Sequence, residues 1–111
     1  MDGIAYLLSS MYREDELGQK ILEPVKREIL CSTKSVSKSE YFSAGQFGLR
    51  AERVIITPAI NYENEETVEY EGKTYFIYRT YRVPESDDIE LYLELRSGTN
   101  VKNNQTGQPG E

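Results

Sequence analysis

Histidine is absent from the 111 residues, and cysteine occurs once, at Cys31. Without histidine, a Cys/His zinc site and histidine-based acid–base catalysis are both excluded. One cysteine cannot form an intrachain disulfide framework. A catalytic thiol at Cys31 would also lack the basic partner that activates such groups, so Cys31 reads as a small buried strand residue. The longest apolar run, residues 4–8, is far too short to span a bilayer, so no membrane partner is expected. The N-terminal residues show no basic region and no small-residue cleavage site, which points to a cytosolic product or one assembled in a cytosol. No glycine-rich phosphate loop, nucleophile–base pair or metal-ligand spacing is found. The chain is therefore expected to be no enzyme and to carry no cofactor.

What is present is an acidic balance and many tyrosines. The net charge is −6, and it is unevenly distributed. Residues 25–53 carry six basic and three acidic groups, whereas residues 54–95 carry three basic and ten acidic ones. An acidic chain is a poor generic nucleic-acid binder, because phosphate contacts rely on Lys and Arg; the basic middle segment is a local exception. Nine tyrosines stand among the 111 residues. Tyrosine suits surfaces where an apolar body is buried and a hydroxyl stays wet, as at protein–protein interfaces.

The stretch VEYEGKTYFIYRTY, residues 68–81, organises the chain. Two runs of β-favouring residues flank Glu71-Gly72, so a tight hairpin is expected there. Glu accepts a positive φ less readily than Asn or Asp, which leaves a type I turn with a glycine bulge as open as a primed two-residue turn. Past the turn, alternation places Tyr75, Ile77, Arg79 and Tyr81 on one face and Phe76, Tyr78 and Thr80 on the other. Both faces carry aromatics, so this strand is expected to be covered on both sides.

The remaining elements follow from local signals. Residues 4–9 read as a short edge strand, and residues 13–18 as a polar turn. Residues 21–36 read as extended, with Val25, Arg27, Ile29, Cys31 and Thr33 on one face and Pro24 at a strand start or edge. Ser37-Lys38-Ser39-Glu40 is a capping box that opens one short helix, about Ser37 to Gly48. Within it Tyr41, Ala44 and Phe47 have the spacing of one apolar face. Residues 53–59 form a strand with Val54/Ile56 and Ile55/Thr57 on opposite faces. Residues 61–66 read as an acidic solvated loop. Residues 89–96 alternate most cleanly, with Ile89, Leu91, Leu93 and Leu95 inward. Residues 97–111 have almost no apolar content and read as a disordered tail.

These elements predict a mainly β fold: one domain over residues 1–96, a small antiparallel β-barrel of five to six strands with one short α-helix. Its core is expected to include Ile29, Ile56, Val68, Ile77, Leu91 and Leu93.

Three motifs, S-x-x-E-x-x-x-A-G-x-x-G (Ser37 to Gly48), V-x-Y-x-G-K-x-Y-x-I-Y-R-T-Y (Val68 to Tyr81) and I-E-L-Y (Ile89 to Tyr92), occur in this order. Together the chain from Ser35 to Arg96 resembles the head-closure proteins of long-tailed double-stranded DNA phages, also called stoppers or head–tail connector and adaptor proteins. The resemblance implies a dodecameric ring stacked below the portal and its adaptor ring. Such a ring closes the channel over the packaged double-stranded DNA and docks the tail. It implies a virion protein of the head–tail connector, assembled in the host cytoplasm. The segment from Lys34 to Arg50 is then expected to face a neighbouring subunit or the channel, through Lys34, Lys38, Tyr41, Phe42, Gln46, Phe47 and Arg50. Two other readings stay open: a small OB-like barrel that stacks single-stranded nucleic acid on its tyrosines, and another connector component such as an adaptor or tail-completion protein.

Overall fold

The structure, a computed structural model, describes residues 1–95; the expected tail at 97–111 and Arg96 lie outside them. Six strands, β1 (Gly3–Glu14), β2 (Lys20–Lys34), β3 (Ala51–Pro58), β4 (Thr67–Tyr70), β5 (Lys73–Arg82) and β6 (Asp88–Leu95), close into an antiparallel barrel in the order β1-β2-β3-β6-β5-β4. One helix, α1 (Lys38–Gly45), joins β2 to β3, and a single 3-10 turn at Ala59–Asn61 follows β3. The fold is thus the expected small barrel with one short helix. Closure pairs β4 back onto β1 and removes the exposed edges that a tyrosine-rich sheet would otherwise offer.

The core is built from alternate residues of every strand. Ala5, Leu7, Ile29, Cys31, Ile55, Val68, Tyr75, Ile89, Leu91 and Leu93 pack together, with Ile77 partly buried against them. Cys31 is fully buried, and burial pushes its thiol pKa up, which keeps it protonated and inert. Ile56 departs from expectation. It pairs with Glu90 on the outer surface of the barrel, while Ile55 takes the core position opposite Leu91. Leu95 keeps inward phase opposite Tyr75 but is exposed where the barrel ends.

The hairpin at residues 70–73 resolves the open turn type. Tyr70 pairs with Lys73, and both Glu71 (φ +51°) and Gly72 (φ +79°) are left-handed, so this is a primed two-residue turn. The expected alternation along β5 fails halfway. The ladder with β6 shifts between Ile77 and Arg79, leaving Tyr78 as an extra, bulged residue. Tyr75 and Ile77 remain inward, but Arg79 and Tyr81 pair with Tyr92 and Glu90 and so move to the outer surface.

The first strand is much longer than its sequence suggested, whereas β2 matches the extended stretch expected over residues 21–36. β1 continues to Glu14, and the turn begins only at Asp15. β1 and β2 pair without interruption from Gly3↔Cys31 to Glu14↔Lys20, with Pro24 inside the ladder opposite Ser10. β4 pairs with β1 only from Ala5 to Leu8, and β3 pairs with β2 only from Ser32 to Lys34. Where the second ladder ends, the Thr57 hydroxyl donates to the Leu30 carbonyl at 2.8 Å and takes over one of its lost hydrogen bonds. Residues 9–14 with 20–25 therefore form a two-stranded arm, about 20 Å long at the usual rise per residue.

Candidate interaction surface

Helix α1 begins as its capping box predicts. The Ser37 hydroxyl accepts from the Glu40 amide at 3.0 Å. The second half of the box does not form, because the Glu40 carboxylate is engaged elsewhere. It accepts from the Tyr78 hydroxyl at 2.7 Å and from Arg79 Nη2 and Nε at 2.6 and 3.2 Å. In a regular strand, residues 78 and 79 would point to opposite faces; the bulge at Tyr78 lets both reach one carboxylate.

This contact opens a seam along the outer surface. The Arg79 guanidinium lies 3.9 Å from the centre of the Tyr92 ring, and Tyr78 meets Tyr92 edge to face. The Tyr92 hydroxyl donates to Glu90 Oε1 at 2.6 Å, and Lys34 Nζ donates to Glu90 Oε2 at 3.0 Å. Beneath the helix, Ala44, Val54 and Tyr92 are buried, so β3 and β6 carry a second apolar layer outside the barrel core. The two-sided cover expected along β5 is met only at Tyr78 and Arg79, which Glu40 of α1 engages; Phe76 and Tyr81 of the same strand are exposed.

The seam sets the ionisation of its members. Hydrogen bonds from Arg79 and Tyr78 hold the Glu40 carboxyl below the usual carboxylate range, against a smaller opposing effect of burial. For Glu90, burial pushes upward and is outweighed by the Tyr92 hydroxyl and Lys34, so its pKa is also lowered. Burial and the hydrogen bond to Glu90 push the Tyr92 phenol up to about 12.

Seen from solvent, α1 presents a different set of groups. Of Tyr41, Ala44 and Phe47, which share helical spacing, only Ala44 is buried; Phe47 is 81% exposed. Tyr41 and Phe42 are also exposed and meet edge to face at 6.0 Å. Lys38, Gln46 and Arg50 are exposed as well, and the Arg50 amide donates to Glu94 Oε2 at 2.9 Å. Among the described residues the side chains of Lys38 and Arg50 have no ionic partner, whereas Lys34 is paired with Glu90. Six of the seven expected residues are thus exposed on α1 and the turn after it, a patch aromatic and basic in composition; Lys34 belongs to the seam that fixes the helix.

The acidic loop before β4 is not simply solvated. Glu65 is buried and bonded to Arg27, its Oε1 accepts from the Glu63 amide at 2.8 Å, and the Tyr62 hydroxyl donates to its carbonyl at 2.9 Å. Burial pushes the Glu65 carboxyl up, but the amide bonds and Arg27 outweigh it and hold its pKa low.

The arm is the surface that sequence reasoning missed. Met11, Tyr12, Leu17, Ile21 and Leu22 are all exposed on it, with Tyr12 directly opposite Leu22. The signal was present as two adjacent apolar pairs, Met11-Tyr12 and Ile21-Leu22, placed on either side of a turn centred on Leu17. No protein-family model matches the chain, and no curated protein matches it. Among the described residues, no helix is long and apolar enough to cross a membrane.

Proposed function

We propose that the chain is a structural subunit of the head–tail connector of a long-tailed double-stranded DNA phage. In this reading a ring of copies closes the portal channel after packaging and gives the tail its docking platform. The observation that carries the reading is a barrel with a filled core that still turns many large apolar side chains outward, with clusters on the arm and on and after α1 and others such as Leu30 and Ile60 elsewhere. Large exposed apolar groups with polar rims belong to subunits of assemblies. The phage assignment itself rests on the sequence resemblance from Ser35 to Arg96.

The mechanism is steric and electrostatic. Many copies bring equivalent segments to the ring axis, where together they obstruct the channel. Lys38 and Arg50 give the α1 segment a local positive charge for attracting an acidic surface, although the whole chain carries −6. Lys34 has no such role, because Glu90 holds it. The partners are other copies in a ring of twelve, the portal and adaptor ring, the tail and the channel DNA. The site of action is the virion, after assembly in the host cytoplasm. The function requires neither cofactor nor catalysis.

The test uses DNA-filled, tail-less heads of the cognate phage that lack this protein. Adding the purified chain should make their DNA resistant to nuclease and restore tail joining. Charge reversal at Lys38 and Arg50 together should leave the thermal midpoint unchanged and lower the yield of infectious particles. Heads that bind the protein and still lose their DNA would sink the reading. Tight, steeply salt-dependent binding of single-stranded oligonucleotides would favour the OB-like alternative instead.

A further inference from the structure

The arm and the α1 patch are matched surfaces that one copy cannot bring together. They lie at opposite ends of β2: the arm tip precedes Lys20, and the helix follows Lys34. About 45 Å of extended strand lies between those residues at the usual rise. We propose that the arm of one copy docks on the α1 patch of a second copy, head to tail, with Leu17 and the Tyr12–Leu22 pair set against Tyr41, Phe42 and Phe47.

Several features converge on this occupant. An isolated two-stranded hairpin is marginal in water, yet this one extends six residue pairs beyond the barrel and exposes five large apolar side chains. Its tip is an ordered turn. Asp15 Oδ1 accepts from the amides of Leu17 and Gln19 at 2.9 and 2.8 Å, and the Asp15 amide donates to the Gln19 carbonyl at 2.9 Å. That turn holds Leu17 82% exposed at the apex, the place of an anchor residue.

Charge matches as well. The arm carries Glu14, Asp15, Glu16 and Glu23 against Arg13 and Lys20, a net −2. Arg13 and Glu23 pair with each other at 3.0 Å, which leaves Glu14, Asp15 and Glu16 against Lys20 at the tip, still a net −2. The α1 segment, residues 34–50, carries Lys34, Lys38 and Arg50 against Glu40, a net +2. Lys34 and Glu40 are engaged in the seam, so Lys38 and Arg50 are its charges without an ionic partner among the described residues. An acidic apolar arm and a basic aromatic patch on the same chain make a heterologous contact, which propagates from copy to copy and forms a ring where the rotation between copies closes. The inference takes from the connector reading only that the partner is another copy; the contact itself stands on exposure, charge and placement.

The test pairs two variants whose substitutions lie at exposed positions and keep the charge: Leu17→Ser with Leu22→Ser on the arm, and Phe42→Ser with Phe47→Ser on the patch. Far-ultraviolet dichroism checks that each keeps the barrel. By sedimentation equilibrium from micromolar to millimolar concentration, the wild type should grow past dimers. Each variant alone should associate more weakly by over about tenfold. A one-to-one mixture retains one intact arm and one intact patch per pair, so it should form dimers and stop there. A wild type that stays monomeric throughout, a variant that associates like the wild type, or a mixture that stays monomeric would each overturn the contact. Variants that still seal DNA-filled heads as well as the wild type would overturn it too, and would leave the connector reading standing. A wild type that associates through the contact but binds no heads would do the reverse.

Discussion

Glu71 holds a left-handed backbone at φ +51°, a conformation that costs an L-residue with a Cβ about 1 kcal/mol. Asn tolerates it better, so Glu71→Asn should stabilise the protein by about 0.5 kcal/mol, read as a rise in the denaturant midpoint at constant slope. The position of this turn was legible because Gly72 stands between two β-rich runs. Its type was not, because Glu is no marker of positive φ. A similar limit applied to Ile55 and Ile56. In a run such as Val54-Ile55-Ile56-Thr57 both faces are apolar, and pattern alone cannot choose between them. The choice is made by α1, which covers Val54 from outside and leaves Ile55 for the core. Leu93 was unambiguous, since its strand alternates strictly, and it is fully buried. Leu93→Asp should therefore cost more than about 3 kcal/mol, because the new carboxylate would have no partner in the core; an unchanged thermal midpoint would contradict this placement.

At the scale of elements, the seam from Glu40 to Lys34 determines where α1 sits. The helix has two turns and buries little beyond Ala44, so propensity alone would not hold it. Its position rests on Glu40, Tyr78 and Arg79, and the bulge in β5 exists where those two residues must face the same way. None of this was legible beforehand. The capping box assigned Glu40 to the helix start, and a bulge has no marker in a Tyr-Arg pair. The ionisation shifts of the seam, together with that of Glu65 in the loop before β4, give the fold a pH signature. Glu40, Glu65 and Glu90 all titrate below the ordinary 4.5 in the folded protein. Their contribution is complete above 4.5 and is lost as the pH falls through their lower folded values. Tyr78 and Tyr92 are raised above the ordinary 10.0, so their contribution is present below pH 10.0 and is lost as the pH rises beyond it. Thermal midpoints should form a plateau from pH 4.5 up to 9.0, where the buried Cys31 thiol, also raised, begins to add to the alkaline loss. Glu65→Gln should flatten the acid side and Tyr92→Phe the alkaline side. A wild-type midpoint that already falls between pH 6 and pH 8, where no shifted group titrates, would refute the assignment.

For the whole molecule, the question is why a chain with two matched surfaces would not assemble as soon as it is made. Each contact between copies is narrow, a two-stranded arm against one two-turn helix. Patches well below ~800 Å² per partner usually give weak, transient association. Closing a ring also concentrates subunits that each carry −6, and this repulsion grows with every copy added. Local attraction between Glu14 or Glu16 and Lys38 or Arg50 acts over a few ångströms and offsets only part of it. The isolated chain should therefore be a monomer or small oligomer at micromolar concentration. A portal–adaptor ring that presents many docking sites in a circle raises the effective concentration of neighbours, and the same weak lateral contact then suffices. Ordered closure would follow from geometry without nucleotide or enzyme, and premature blockage of the channel during packaging would be avoided. Sedimentation velocity on the purified chain, alone and with DNA-filled, tail-less heads carrying the adaptor, measures this directly. The expected result is slow, small species alone and quantitative co-sedimentation with heads. A stable dodecamer without heads would refute templated assembly, because the lateral contacts would then be strong enough to close the ring unaided.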